Sequence, residues 1–465
     1  MNIFLLLVGF IGLAAISALF VFVARKPVWA AYVFLATQPF IGGIDRGKLI
    51  PLLRPSEALQ FFLTAAVLAG VAVRAVRGEP LSVRFTRLDR AIALLAALSS
   101  IWPLFWMFAR GRIPSSTDFF STIVMWRLAA LYALFRWVVK TPEQVRKCMW
   151  ILLVSAGLLA VLAIADSLGI YKPGGIWTAA QSDGSNTGRG GATLNSSIAV
   201  GDYLSYAFAV ALVYLVRGRQ PRLLVAAISG LCVVGILGTG QFSAWIAAFI
   251  VVVVVARSEG QMARLAAWLV PLGVLAALVA GPVVAQRLAG FSGPQGLPPS
   301  WLGRYDNLHS FFLPMLGNFR WVLGVRPDSV IPAPETWRDV IYLESGYLWF
   351  FWVGGIPLFL GFLWFARAAF RKTKIVIERR RDDISVAAVA TRAALWCLMI
   401  LSIIDMHLTL RGGGDLFFIL LGLTANMNVP EPLPEPEPPP RARALGGVVT
   451  SRRALGAATP PREGS

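Results

Sequence analysis

Stretches of near-continuous apolar residues, most about twenty long, recur from one end of this chain almost to the other. A membrane-crossing helix requires roughly 20 such residues, so they predict about thirteen spans. Their approximate bounds are 3–24, 28–44, 56–73, 91–109, 119–139, 148–170, 196–216, 222–238, 241–256, 265–286, 343–366, 386–408 and 414–428. The second and the last are short. The expected fold class is therefore all-α: a polytopic transmembrane helical bundle of about 12–13 spans over residues 1–428, with a large extracytoplasmic loop. Only 14% of the residues are charged and the mean hydropathy is +0.68, which excludes a disordered chain and an ordinary soluble enzyme.

The formal net charge of +19 would suggest nucleic acid in a soluble domain. Its distribution points elsewhere. Lys and Arg gather in alternate short loops, the pattern that sets orientation in a membrane. Arg25/Lys26, Arg74–Arg90, Arg136–Lys147, Arg217–Arg222, Arg257–Arg264, Arg367–Arg392 and the C-terminal tail hold 29 of the 43 basic residues on one side, against 13 on the other. The expectation is a plasma (inner) membrane protein with its N-terminus outside, its C-terminus in the cytoplasm and its first span a signal anchor. Anionic inner-leaflet lipids, rather than nucleic acid, then meet the surplus. The tail, 429–465, changes to Pro/Glu-rich and then small, basic residues, a composition expected to be disordered. It is a spacer or a docking segment for a partner.

Two outward segments exceed ordinary turns, 171–195 and 287–342, and long loops commonly carry function. The larger holds Arg304, Asp306, His309, Arg320, Arg326, Asp328, Glu335, Arg338 and Asp339 among Trp301, Trp321, Trp337, Phe311 and Phe312. Such a mixture is either an interfacial aromatic belt or a surface where rings meet sugar faces and Arg forks meet phosphate oxygens. Charges inside spans are costly and therefore informative. Arg127 lies well within its span, either paired with an acid such as Asp202 or Asp166 or holding an anionic head group from below. Asp405, His407, Arg411 and Asp415 cluster near the end of the twelfth span and read as a structural ion-pair network. Cys148, Cys232 and Cys397 sit in or beside spans without a disulfide pattern. His309 and His407 are too few and too far apart for a metal site. No P-loop or dinucleotide fingerprint is present.

Three stretches carry a family resemblance. Gly188-Arg189-Gly190-Gly191-Ala192-Thr193-Leu194-Asn195, running into Gly201-Asp202-Tyr203-Leu204, is the first. Leu237-Gly238-Thr239-Gly240-Gln241-Phe242-Ser243-Ala244-Trp245 is the second. The third is Arg304…Pro314…Gly317…Gly324, followed by Glu344-Ser345-Gly346-Tyr347-Leu348 and Gly354-Gly355-Ile356-Pro357. In order, spacing and shared side they resemble the O-antigen ligase/O-antigen polymerase superfamily (Wzy-like, WaaL-like) over residues 170–365. Gln241-Phe242 stand where that family usually has Ser-Arg.

The resemblance implies a membrane glycosyltransferase of polysaccharide biosynthesis, acting on undecaprenyl-type polyprenyl-diphosphate-linked glycans as donor and acceptor. Other polysaccharide-assembly proteins are possible partners. Ligases of the family have a His near the start of the helix after the large loop. Here Glu344 stands there, which favours a polymerase of repeat units over a ligase with a lipid or protein acceptor. A leaving diphosphate gains charge that pre-placed arginines stabilise. Arg189 and Arg304 are the first expected diphosphate-binding residues, with Arg127, Arg320 and Arg338 behind them. An attacking hydroxyl benefits from a base: Glu344, with Asp306 and Asp339 as alternatives. No acidic cluster is spaced for Mg²⁺, so no metal or other cofactor is expected. The competing classes are a lipid-linked oligosaccharide flippase or exporter, against which the long loop and the absence of an evident repeat between the halves argue, and an inactive scaffold acting through its Pro-rich tail.

Overall fold

The computed structural model describes residues 3–79, 84–177, 189–218, 220–292, 296, 298–334 and 340–426. The tail 429–465, with Arg338 and Asp339, lies outside the described residues. A helix stands at every expected span: α1 (Ile3–Arg25), α2 (Val28–Ile41), α3 (Pro55–Val76), α4 (Arg87–Ala109), α5 (Ser116–Val138), α6 (Pro142–Ser167), α7 (Ser197–Arg217), α8 (Arg222–Gly238), α9 (Phe242–Glu259) and α10 (Met262–Ala289). The segment after α10 holds three short helices, α11 (Pro299–Asn307), α12 (Leu313–Leu316) and α13 (Arg320–Leu323). The long helices α14 (Gly346–Arg379) and α15 (Asp383–Leu401) and the shorter α16 (Gly413–Thr424) complete the bundle. Eight of these helices are long and apolar enough to cross a membrane. The protein is an all-α, multi-pass transmembrane bundle.

Local chemistry sets the helix boundaries. Thr86, Ser115 and Thr141 accept from the backbone N–H three residues on, while Asp89, Asp118 and Gln144 reach back, forming reciprocal caps on α4, α5 and α6. Helix α7 is the axis, buried from Ala199 to Val216 among α6, α8, α9, α15 and α16. Small residues permit this crowding: a Cβ on Gly201 would stand 2.5 Å from that of Ala244. Large apolar side chains on the peripheral helices, such as Leu68, Ile101, Phe105, Leu158 and Phe249, are exposed. In a bilayer they face lipid, where such exposure carries no cost.

Two spans differ from expectation. The stretch expected to be helical to residue 408 leaves the helix at Leu401, so Asp405 and His407 lie in an irregular turn, 402–412. Ordered non-helical backbone at a bundle end is sustained where neighbouring groups satisfy it; here the Asp405 carboxylate takes the Met406 N–H at 2.9 Å. Helix α14 continues far beyond residue 366 but is kinked: Gly355 has φ 65°, ψ −154°, next to Pro357.

That kink is the seat of the large loop. Gly355 packs on the Val322 carbonyl and Gly324 on that of Val353, each so closely that a Cβ would stand 2.2 and 2.5 Å away. The Trp352 carbonyl accepts from the Val325 N–H (2.6 Å), and the Trp352 indole donates to the Asp328 carbonyl (2.8 Å). Arg326 reaches Asp118 on α5 at 2.9 Å. Strands β1 (Val330–Pro332) and β2 (Val340–Tyr342) pair antiparallel with Ile331 opposite Ile341, which brings the chain back to the start of α14. The loop is thus a folded cap on one end of the bundle.

Gly355→Ala places a side chain in a backbone region essentially restricted to glycine and against a carbonyl. It is expected to destabilise the protein by about 1–3 kcal/mol, seen as a lower unfolding temperature in detergent. Gly273→Ala, in open helical space, should leave that temperature unchanged or raise it.

Candidate functional site

Arg304 on α11 is the centre of the cap. Its Nε lies 3.2 Å from Glu344 Oε2, its Nη2 donates to Asp405 Oδ2 at 3.2 Å, and its Nη1 donates to the Ile404 carbonyl at 3.3 Å. One guanidinium therefore joins three separate segments: α11, the residues before α14, and the turn 402–412. The fork geometry of Arg makes this possible where a lysine ammonium would not. Glu344 and Arg304 are half-buried, and Asp405 is buried more deeply.

Beside them opens a cleft of about 280 Å³, walled by Trp301, Tyr305, Phe312, Tyr342 and Leu348 with Glu344 and Ser345 on its lining. Aromatic walls with a few convergent polar groups are the usual make-up of a ligand site. Trp301 continues into an aromatic cluster with Phe242 and Phe291 (centroids 6.1 and 6.0 Å). Arg287 lies over the Phe242 ring at 5.8 Å and donates to the Gly240 carbonyl. Arg189 is brought to the same turn, since the neighbouring Gly190 N–H is anchored to the Gly238 carbonyl at 3.2 Å. The cluster thus has carboxylates at one end and two like-charged arginines at the other.

The remaining expected residues are distributed more widely. Asp306 is exposed on α11 and does not line the cleft. Arg320 begins α13 and stands near Arg110; burial, with Arg320 and Arg112 alongside, holds Arg110 below its usual range. Arg338 and Asp339 lie outside the described residues. Arg127 is half-way along α5, and both acids expected as its partner are engaged elsewhere. The Asp166 carboxylate accepts the N–H groups of Gly191 and Ala192 (2.8 and 3.0 Å). Asp202 Oδ2 is 2.8 Å from His407 Nδ1 in the fully buried interior. Arg127 instead pairs with Asp415 on α16 at 2.6 Å.

The four charged residues read as one network likewise reach outward rather than to one another. Asp405 goes to Arg304, His407 to Asp202, Arg411 to Asp45 (2.8 Å) and Asp415 to Arg127. Sequence reasoning missed Arg287, although it is the first charge after the apolar run 265–286. It also missed that Asp405 holds Arg304, which no local pattern records. Among the described residues no group of three or more His, Cys, Asp or Glu side chains is arranged to hold a metal ion. In comparison with known proteins, the chain matches no protein-family model and no curated protein sequence.

The Arg127–Asp415 pair is buried on both sides, so removing one partner strands a charge. Asp415→Asn or Arg127→Gln is expected to cost about 3–5 kcal/mol, whereas the apolar double replacement Arg127→Met with Asp415→Leu is expected to recover most of that loss. Thermal unfolding of the three purified variants checks this.

Proposed function

We propose that the chain is a membrane glycosyltransferase that polymerises polyprenyl-diphosphate-linked oligosaccharide repeat units on the outer face of the plasma membrane. In this reading the N-terminus is outside and the C-terminus cytoplasmic. The observation that carries it is the meeting of Arg304 and Glu344. These residues stand 40 positions apart in the stretch that resembles the O-antigen polymerase and ligase superfamily, and they pair at 3.2 Å on an aromatic-walled cleft. The cleft is at the end of the bundle that the Lys/Arg distribution assigns to the outside.

In the proposed reaction a sugar hydroxyl of the acceptor attacks the anomeric carbon of the donor. The new C–O bond forms as the bond to the diphosphate oxygen breaks. The electron pair leaves with the diphosphate, and the hydroxyl proton passes to the Glu344 carboxylate. A general base of this kind contributes about 10²–10⁴-fold. Arg304 is flanked by two carboxylates, Glu344 and Asp405, so its charge is already offset. Its best-supported role is to aim Glu344. Charge on the leaving diphosphate is better served by Arg189 and Arg287, which both meet the turn 238–240 beside the Phe242–Trp301 aromatic cluster. Two like charges on one turn favour an anion between them. Glu344 at the position where the family's ligases have His favours polymerisation over ligation.

Arg189→Ala and Arg304→Ala are expected to abolish polymer while the protein stays in the membrane at normal abundance. Glu344→Gln is expected to lower the rate about 10²–10⁴-fold, measured as polymer length and amount on gels of cell-envelope glycan. Wild-type polymer in all three variants would rule out this site.

A further inference from the structure

The loop between α2 and α3, residues 42–54, forms a second basic group with the turn 402–412. Four guanidinium groups, Arg46, Arg54, Arg127 and Arg411, share three carboxylates, Asp45, Glu57 and Asp415. The pairing is uneven. Arg46 holds Glu57 through two hydrogen bonds, 2.9 and 3.3 Å, and stacks on Phe120 at 4.5 Å. Arg127 and Arg411 each have their own acid. Arg54 reaches Glu57 only at 3.8 Å, on a carboxylate Arg46 already occupies. Its Nε is buried without an acceptor among the described residues. Burial pushes the Arg54 guanidinium down to about 9; the charges of Arg411, Arg46 and Arg127 add to this, and Glu57 opposes it. A buried donor left unmade is costly, and one cation in excess of the acids is the electrostatic form of an anion site.

We infer that Arg54 and Arg411, beside the Arg46–Glu57 pair, form a second binding site for a phosphate or diphosphate group, which adds the loop 42–54 to the turn 402–412 that it shares with the Arg304 cleft. Its tetrahedral oxygens meet the parts of the Arg54 and Arg411 side chains that stay exposed, 21% and 32%, and forked guanidinium donors match them bidentately. Leu49 and Leu52 are more than half exposed on the same loop and suit an aliphatic chain next to the anion. The phosphate belongs either to a lipid head group or to a free anion.

This site stands on its own geometry and does not require the transfer reaction. The test uses the purified full chain in nanodiscs of zwitterionic phosphatidylcholine. Binding is titrated with inorganic pyrophosphate in one arm and with phosphatidic acid in the other, and read by native mass spectrometry. Arg54→Gln and Arg411→Gln are each expected to weaken binding about tenfold or more, while Arg54→Lys retains most of it. Tighter binding in the lipid arm assigns a lipid head group, and equal dependence on Arg54 with pyrophosphate alone assigns the free anion; both support the site. Should Arg54→Gln unfold, Arg411→Gln gives the same readout from the other side of the site. Binding unaffected by Arg54 and Arg411 overturns it. Failure of the purified protein to transfer glycan, with Arg54-dependent binding intact, removes the proposed reaction and leaves this site standing.

Discussion

A guanidinium half-way along a membrane-crossing helix has to be paired, and the arrangement of this protein follows from how Arg127 meets that requirement. Its partner is Asp415 at the start of α16, 2.6 Å away. Gln38 of α2 donates to the other Asp415 oxygen at 3.1 Å, and Gln60 of α3 donates to the Arg127 carbonyl at 2.7 Å. Four helices distant in sequence are thus tied at one depth. Holding such charges in an apolar interior is costly, and the hydrogen bonds from Gln38 and Gln60 offset part of that cost. Because Asp415 is fixed, so is the irregular turn immediately before it.

That turn distributes charge to the rest of this bundle end. Asp405 reaches the cap through Arg304, His407 reaches the axial helix through Asp202, and Arg411 reaches the α2–α3 loop through Asp45. Arg304 in turn fixes Glu344, so the carboxylate on the cleft is tied through Arg304 and Asp405 to the turn whose other charges pair in the core. A reacting carboxylate benefits from being held in one place before the substrate arrives. The same turn links the Arg304 cleft to the Arg54 group.

Helix positions were largely legible in the sequence, because lipid imposes a length and an apolarity that each span must satisfy by itself. The irregular turn was not. Residues 402–408 are apolar enough to extend a span, and the tertiary pairing of Asp405 and His407 outweighs that tendency. Arg127 was recognised as significant, but its partner was not, since Asp166 and Asp202 are equally suitable by type and only the fold shows that backbone amides and His407 already engage them. Arg304 and Glu344 were found through a resemblance, and their mutual contact through the structure. The folded state of the large loop was hidden for a similar reason: α11 to α13 are too short to show periodicity, and α13 is seated by the kink at Gly355 while α11 is held through Arg304.

The central claim is that the cap holds a transfer site rather than a path for carrying lipid across the membrane. Purified protein in detergent, given a polyprenyl-diphosphate-linked repeat unit, tests it most directly. The account predicts lipid-linked products lengthened by whole repeat units without any sealed membrane. Starting material that remains unextended in detergent, yet crosses the bilayer when the protein is reconstituted in sealed vesicles, would contradict it.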